Sequence, residues 1–160
     1  PDTAKDLAGI SILTRNGIGG AMLREDTSNV MHIQKMVDMI AVLFGGTEAE
    51  RICLGVESTG CASDLQKAVS AAEKLVLCLG YRMDGQITGN GEGYCPYVDE
   101  ATKARAAEQV RLLLKEQRER SAALISEHRR SVERVATPLM SEERLAAAQI
   151  SHLVNEKEAA

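Results

Sequence analysis

Aromatic residues are nearly absent from this chain: among its 160 residues there is no Trp and one Phe, and aromatics make up 2% of the sequence. A core of this composition is built from Leu, Ile, Val, Met and Ala, which pack helices well. β-Sandwiches usually contain more aromatic and β-branched residues, so that class is disfavoured. Because 44% of the residues are apolar and the length suits one domain, we expect a mainly α (α+β) globular domain.

Closely spaced cysteine pairs and long apolar runs are also missing. The cysteines form no CxxC pair, which argues against a zinc knuckle or a thioredoxin-type site. Neither a secretory signal pattern nor an apolar run long enough for a membrane span occurs in these residues. We expect a reduced, cytoplasmic setting, with Cys78 in the core. The cysteines are Cys53, Cys61, Cys78 and Cys95.

An excess of basic charge is absent too, since the formal net charge is −4. A weakly acidic chain has no overall attraction to nucleic acids or anionic membranes. The local basic runs, Arg118 to Arg120 and Arg129-Arg130, are interleaved with glutamates, which is typical of a solvated helix face. We therefore expect no nucleic-acid partner.

Two short β-type runs lie within residues 1–29, which we expect to form a small β element with loops. The first run is Ile10–Leu13 and the second is Ala21–Arg24. The Asn16-Gly17 dipeptide between them favours a hairpin turn.

The next segment, residues 30–80, predicts two core helices joined by a loop. Asp26–Asn29 offers N-cap candidates for a helix over 30–45, which is apolar nearly all round towards its end and should be buried. Gly45-Gly46 either ends this helix or lets another backbone approach closely. A short acidic turn and a glycine-punctuated loop over 52–62 then follow.

A second helix is predicted over 63–80. Ser63 suits its N-cap, and Asp64 in the first turn suits the positive end of the helix dipole. The apolar residues recur at helical spacing, and Gly80 closes the helix. These residues are Leu65, Ala68, Val69, Ala72, Leu75, Val76 and Leu79.

The C-terminal half predicts a loop and then further helices. Residues 82–97 contain four glycines and predict a flexible loop, since the GNGEG run lacks the Gly-Lys-Ser/Thr ending of a phosphate-binding loop. Residues 99–136 predict one long helix or two helices with a bend, and Pro138 should limit the far end. Ser141 and the glutamates after it should cap a last helix over 141–154.

Three stretches of the sequence resemble one known family, in the same order. Ile10–Arg15 is similar to a strand of the type ISIIPRG, and Leu43–Glu50 is similar to a Leu-Gly-Gly-x-Ala-Ala-Glu motif. Ser58–Leu65 is similar to a loop with Thr-Gly that leads into a helix beginning Asn-Asp-Leu. This order resembles the peptidase domain of FtsH-like ATP-dependent zinc metalloproteases, peptidase family M41. The resemblance is good over residues 10–81 and weaker over 99–154.

The resemblance implies a zinc site to which these residues contribute one ligand. In the family, two His of an HExxH motif and an Asp of a later helix bind zinc, and the Glu of that motif is the general base. Two His at i and i+4 converge on a tetrahedral metal, and zinc lowers the pKa of the water it activates to about 7. No HExxH occurs here, so the motif is expected just upstream of Pro1. By resemblance, Asp64 is the third metal ligand; by its position alone, it is a carboxylate that suits a helix start.

The first strand has an implied role as well. Metalloproteases commonly bind an extended substrate at an exposed strand edge, so the resemblance implies that Ile10, Ser11, Ile12 and Leu13 bind substrate. An ordinary hairpin strand is the alternative interpretation.

The histidines do not replace the missing ligands, because no two of them share i,i+4 spacing. We interpret His128, near an apolar stripe, as a core or interface residue, and His32 and His152 as surface residues. Glu50 matches an acidic position of the family motif and is assigned no chemical role.

Two functional hypotheses follow. In the first, residues 1–160 are the single zinc metalloendopeptidase domain of an ATP-dependent protease that degrades unfolded or membrane proteins. The family then implies an upstream ATPase module, a homo-hexamer, and a location on the cytoplasmic face of a membrane through an anchor outside this chain. In the second, the chain is a catalytically inactive pseudopeptidase with a structural or interaction role, for which the departures Thr47-Glu48 and Cys61 leave room. An unrelated helical adaptor domain is a third reading.

Overall fold

A computed structural model of the chain describes residues 7–13, 21–24 and 32–155. The chain divides into two compact units, one made of residues 1–30 and 125–160 and the other of residues 31–124. The described part is mainly helical with a small sheet, which confirms the predicted fold class.

The first unit contains a three-stranded antiparallel sheet in the order β2-β1-β3. The strands are β1 (Leu7–Ser11), β2 (Ala21–Arg24) and β3 (Arg144–Ala146). The two predicted N-terminal strands are therefore confirmed, although β1 begins before Ile10 and ends at Ser11. The turn predicted at Asn16-Gly17 lies outside the described residues.

The third strand was not predicted, and Gly9 explains how it fits. A Cβ at Gly9 would lie 2.7 Å from the carbonyl oxygen of Leu145, so the close approach of β3 to β1 requires glycine there. Leu145 is buried on this strand. Strands β1 and β3 thus pair although they lie more than a hundred positions apart in the sequence. No local sequence pattern indicates this pairing.

Two helices complete the first unit, and both differ from the prediction. Helix α4 spans Arg129–Glu142 with Pro138 inside it, and α5 spans Ala147–Asn155. Pro138 removes one N–H donor but does not end the helix. Ser141 therefore lies in the last turn of α4 instead of capping the last helix, and Glu143, with φ 59°, turns the chain into β3.

The long C-terminal helical region is two helices, the second of the alternatives left open by the sequence. Helix α3 spans Glu100–Glu127, and His128 separates it from α4 with φ −105° and ψ 21°. His128 is exposed, so the core alternative for this residue was wrong, and the interface alternative stays a prediction. Its apolar neighbours in sequence do not bring it into the core, because it lies at the break between the helices.

The second unit is built on α1 and α2, which pack against each other. Helix α1 spans Ile33–Ala49 and continues through a π-helical turn, Glu50–Leu54, that ends at Gly55 with φ 72°. Helix α2 spans Ala62–Glu73 and continues through a second π-helical turn, Lys74–Cys78. The hydrophobic core of this unit contains the buried residues Met36, Val37, Ile40, Phe44, Ala68, Ala72, Leu75, Val76, Met83, Ala106 and Leu113.

Several sequence predictions for α1 are corrected. The helix begins at Ile33, not at residue 30, and it passes through Gly45-Gly46 without a break. Its burial is one-sided, because Val42 and Ile33 are exposed. The penalty of two glycines is outweighed by packing of the opposite face of the helix, where Phe44 and Thr47 are buried. The N-cap candidates at Asp26–Asn29 lie outside the described residues.

The second core helix agrees better with its prediction. Asp64 lies in the first turn, and Gly80, with φ 65°, ends the segment. Ser63 is not the N-cap, because a turn of 3₁₀ helix, Thr59–Cys61, runs directly into α2 and is capped by Ser58. Cys78 is half-buried, not fully in the core.

The glycine-rich segment after α2 is a loop, as predicted, and is folded back onto the helix. The N–H groups of Thr88 and Gly89 both donate to the carbonyl of Leu77, at 2.9 and 3.0 Å. A Cβ at Gly80 would lie 2.6 Å from the carbonyl carbon of Gly85. Gly80 therefore serves a tight backbone contact as well as a left-handed turn.

No helix in the described ranges combines the length and apolarity needed to cross a bilayer.

We expect Gly46→Ala to stabilise the 160-residue chain by about 0.5–1 kcal/mol, because glycine in a helix interior is less favourable than alanine by that amount. Apart from the neighbouring residues and the helix's own backbone, no atom of the described residues lies within 4 Å of the added Cβ. Urea unfolding measures the change, with Gly80→Ala as a contrasting variant that should lose stability. A less stable Gly46→Ala chain would contradict the prediction.

Candidate functional site

The carboxylate of Asp64 lies at the start of α2, where the sequence places the candidate metal ligand. Its side chain is 50% exposed, and Oδ1 is 2.9 Å from Nζ of Lys67, one turn further along the helix. This ion pair is exposed and contributes little to stability. The carboxylate is accessible to an incoming cation, which would compete with Lys67 for it.

The turn that precedes α2 is held to the end of α1 by Glu50. The amide and hydroxyl of Ser58 donate to the two oxygens of the Glu50 carboxylate, at 2.6 and 2.8 Å. Ser58 Oγ also accepts from the amide of Gly60 at 3.2 Å, and Cys61 Sγ donates to the Ser58 carbonyl. We call residues 58–61 the Ser58 turn. Glu50, which was assigned no chemical role from the sequence, anchors this turn.

A buried carboxylate lies next to this anchor. Glu48 is fully buried, accepts from Arg51 Nε at 2.8 Å and accepts from Arg118 Nε at 2.6 Å. Burial by itself raises the pKa of Glu48, but the hydrogen bonds and charges of Arg118 and Arg51 outweigh it and lower the pKa below its usual value. Glu48 is therefore ionised and fully paired at neutral pH.

Arg118 extends this ion pair to the loop before α2. Its Nη2 donates to Oε1 of Glu57 at 3.2 Å while its Nε donates to Glu48. We call this arrangement the Glu48–Arg118–Glu57 bridge. It joins α1, α3 and the loop.

Sequence reasoning missed the bridge. Arg118 is 70 positions from Glu48, and in the sequence it belongs to a charged run that reads as a solvated face. The local sequence signal for an ion pair is Glu48 followed by Arg51 three positions later, because residues at that spacing lie on the same face of a helix.

The described residues do not contain a complete metal site. No group of three or more His, Cys, Asp or Glu side chains among them could hold a metal ion. His32 and His152 are exposed, as predicted. Asp64 supplies an accessible oxygen donor that suits one position of a zinc site, and a single carboxylate does not retain zinc.

The strand predicted to bind substrate is the middle strand of its sheet. Ile10 and Ser11 pair with β2 on one side and with β3 on the other. Ile12 and Leu13 extend beyond β1, and the Ile12 amide donates to the Glu143 carbonyl at 3.0 Å. A substrate strand could not add beside Ile10 and Ser11 while both neighbouring strands are in place.

Comparison with known proteins points to one family. The family model described as peptidase family M41 matches residues 2–153. Similar curated proteins are the ATP-dependent zinc metalloproteases FtsH of Lactococcus lactis, 31% identical over 90% of this chain, and of Thermus thermophilus, 30% identical over 91%. The FtsH of Bacillus subtilis is 27% identical over 96% of the chain. The matches cover 22%, 25% and 26% of the three relatives, so the chain spans about a quarter of their length.

Proposed function

The chain belongs to peptidase family M41, and we propose that it is the zinc metalloendopeptidase part of a longer ATP-dependent protease. The observation that carries this proposal is the accessible carboxylate of Asp64 in the first turn of α2, directly after the anchored Ser58 turn. A zinc ligand needs to be accessible and held in place, and the exposure of Asp64 together with the anchored turn before it supports this role.

In this proposal Asp64 is the third protein ligand of the zinc. The other two ligands and the general base come from an HExxH helix encoded upstream of Pro1. Zinc, when bound, acidifies a water molecule and polarises the scissile carbonyl. Before zinc binds, the Asp64 carboxylate is paired with Lys67, which must release it.

The proposed substrate is an unfolded polypeptide bound in an extended conformation. Of the four residues Ile10–Leu13, the substrate is proposed to contact Ile12 and Leu13. Ile10 and Ser11 are not proposed to bind it, because their backbones pair with a strand on both sides. Leu13 is exposed and Ile12 is half-buried, so part of each side chain is accessible to a substrate. Backbone hydrogen bonds at a strand end tolerate many substrate sequences.

The rest of the assembly is proposed from the family resemblance together with the names of the relatives. Their names describe ATP-dependent zinc metalloproteases. We propose an ATPase module and a membrane anchor upstream of this chain, a homo-hexameric assembly, and both compact units within one peptidase domain. No nucleic-acid partner is proposed.

We expect the full-length protein to degrade casein only with zinc, and residues 1–160 alone to show no peptidase activity. The isolated residues lack the general base and two zinc ligands. The assay compares both proteins with and without a zinc chelator, and the encoded residues before Pro1 are read for HExxH. Absence of HExxH from the full gene product, with no casein degradation, would favour the pseudopeptidase instead. Peptide turnover by residues 1–160 alone would contradict the proposal.

A further inference from the structure

Arg118 links a fully buried carboxylate in α1 to the loop that leads to Asp64. We propose that the Glu48–Arg118–Glu57 bridge positions Asp64 for zinc binding, an inference that rests on the function proposed above. Glu48, Arg118 and Glu57 are positioning residues, and none of them is assigned to the metal.

The path from the bridge to Asp64 is short and hydrogen-bonded. Glu57 adjoins Ser58, so two consecutive loop residues are held. Glu57 is bound by Arg118, which pairs with Glu48 near the end of α1. Ser58 is bound by Glu50, in the π-helical turn that continues α1. From Ser58 the bonds continue to Gly60 and Cys61, where α2 begins. A displacement of the loop at Glu57 is therefore transmitted to the first turn of α2.

The chemistry of Arg118 suits a bridging role. A guanidinium presents several N–H donors in a rigid plane, so one side chain can fix two carboxylates at a set spacing. Its Nε is directed at Glu48 and its Nη2 at Glu57. Lysine has a single ammonium at the end of a flexible stem and would not impose the same spacing.

The burial of Glu48 also favours a role in positioning the loop before α2 over a role in stabilising the fold alone. Removing a carboxylate from water costs free energy, and a buried ion pair often stabilises a fold no more than apolar residues of the same volume. The Leu-Gly-Gly-x-Ala-Ala-Glu motif that this stretch resembles has Ala at the position of Glu48. This chain therefore carries a buried charge where a small apolar residue suffices for the helix.

The test uses the full-length protein with two variants, Glu48→Gln and Glu57→Gln. Amide hydrogen exchange of residues 58–64 reports directly on the Ser58 turn, and chelator competition reports zinc affinity. We expect exchange in Glu57→Gln to rise about two- to fivefold, the effect of one exposed ion pair. Glu48→Gln should raise it further, because it removes the buried charge that pairs with Arg118. It should also lower zinc affinity by up to about tenfold, the lower end of the range for direct partners of a metal ligand.

Controls separate this inference from the proposed ligand role. Glu108→Gln removes an exposed ion pair with Arg111, which lies on α3 as Arg118 does. It should change neither the amide exchange of residues 58–64 nor the zinc affinity. Unchanged exchange of residues 58–64 in both bridge variants overturns the inference, as does an equal rise throughout the chain. If Asp64→Asn keeps wild-type zinc affinity, the ligand role fails, and the exchange data still decide whether the bridge holds the turn.

Discussion

Replacing Asp64 with Asn should lower zinc-dependent casein degradation by the full-length protein by at least about a hundredfold, because even outer-shell changes at metal sites cost 10–100-fold. Asn has nearly the same shape but lacks the negative charge that holds a cation. The Lys67 ion pair is lost as well, but that pair is exposed and contributes little. Zinc content and casein turnover of the two proteins measure the effect.

Asp99→Asn is the matched control. Asp99 also lies at a helix start, where its carboxylate accepts a hydrogen bond from the Thr102 amide at 2.8 Å. Hydrogen bonding to Thr102 lowers the pKa of the Asp99 carboxyl. Asn is a good N-cap, so this variant should retain activity. Equal activity of wild type and Asp64→Asn would remove Asp64 from the metal site.

Replacing Leu75 with Ala should cost about 2–5 kcal/mol of unfolding free energy, the range for large-to-small changes in a core. Leu75 is fully buried in the core of the second unit. The loss combines the transfer free energy of the deleted atoms with the cavity they leave. Urea unfolding of the chain, followed by circular dichroism, gives the difference.

Leu79 offers a control of the same residue type, four positions later and 45% exposed. Leu79→Ala should cost less than about 1 kcal/mol, because little apolar area leaves the core. Similar losses for both variants would contradict the prediction that the burial of Leu75 sets the cost of its removal.

The helical periodicity of residues 63–80 was a reliable guide to the fold. Its spacing predicted the buried face correctly at Ala68, Ala72, Leu75 and Val76. Val69 and Leu79 belong to the same pattern and are exposed. Periodicity identifies the side of a helix that faces the core, but the extent of burial depends on what the rest of the chain places against it.

Features decided by distant residues could not be predicted. Gly45-Gly46 reads as a break, yet the helix continues because the packing of its other face outweighs local propensity. Strand β3 has no strong β pattern of its own and forms by pairing with β1.

In the candidate site, too, the local feature was predicted from the sequence and the feature made by distant residues was not. Asp64 was found from a local motif and its place in the first turn of α2. The bridge through Arg118 was not found, because its partners meet only once α1 and α3 have folded into one unit. Local sequence therefore indicated the candidate ligand, and tertiary structure was needed to bring the residues of the bridge together.

The most direct measurement is a crystal structure of the full-length protein with zinc, using anomalous scattering to locate the metal. Zinc bound by two His and by a carboxylate oxygen of Asp64 at about 2.0–2.2 Å is the predicted result. Zinc held by other residues, with Asp64 still paired to Lys67, would contradict the assignment.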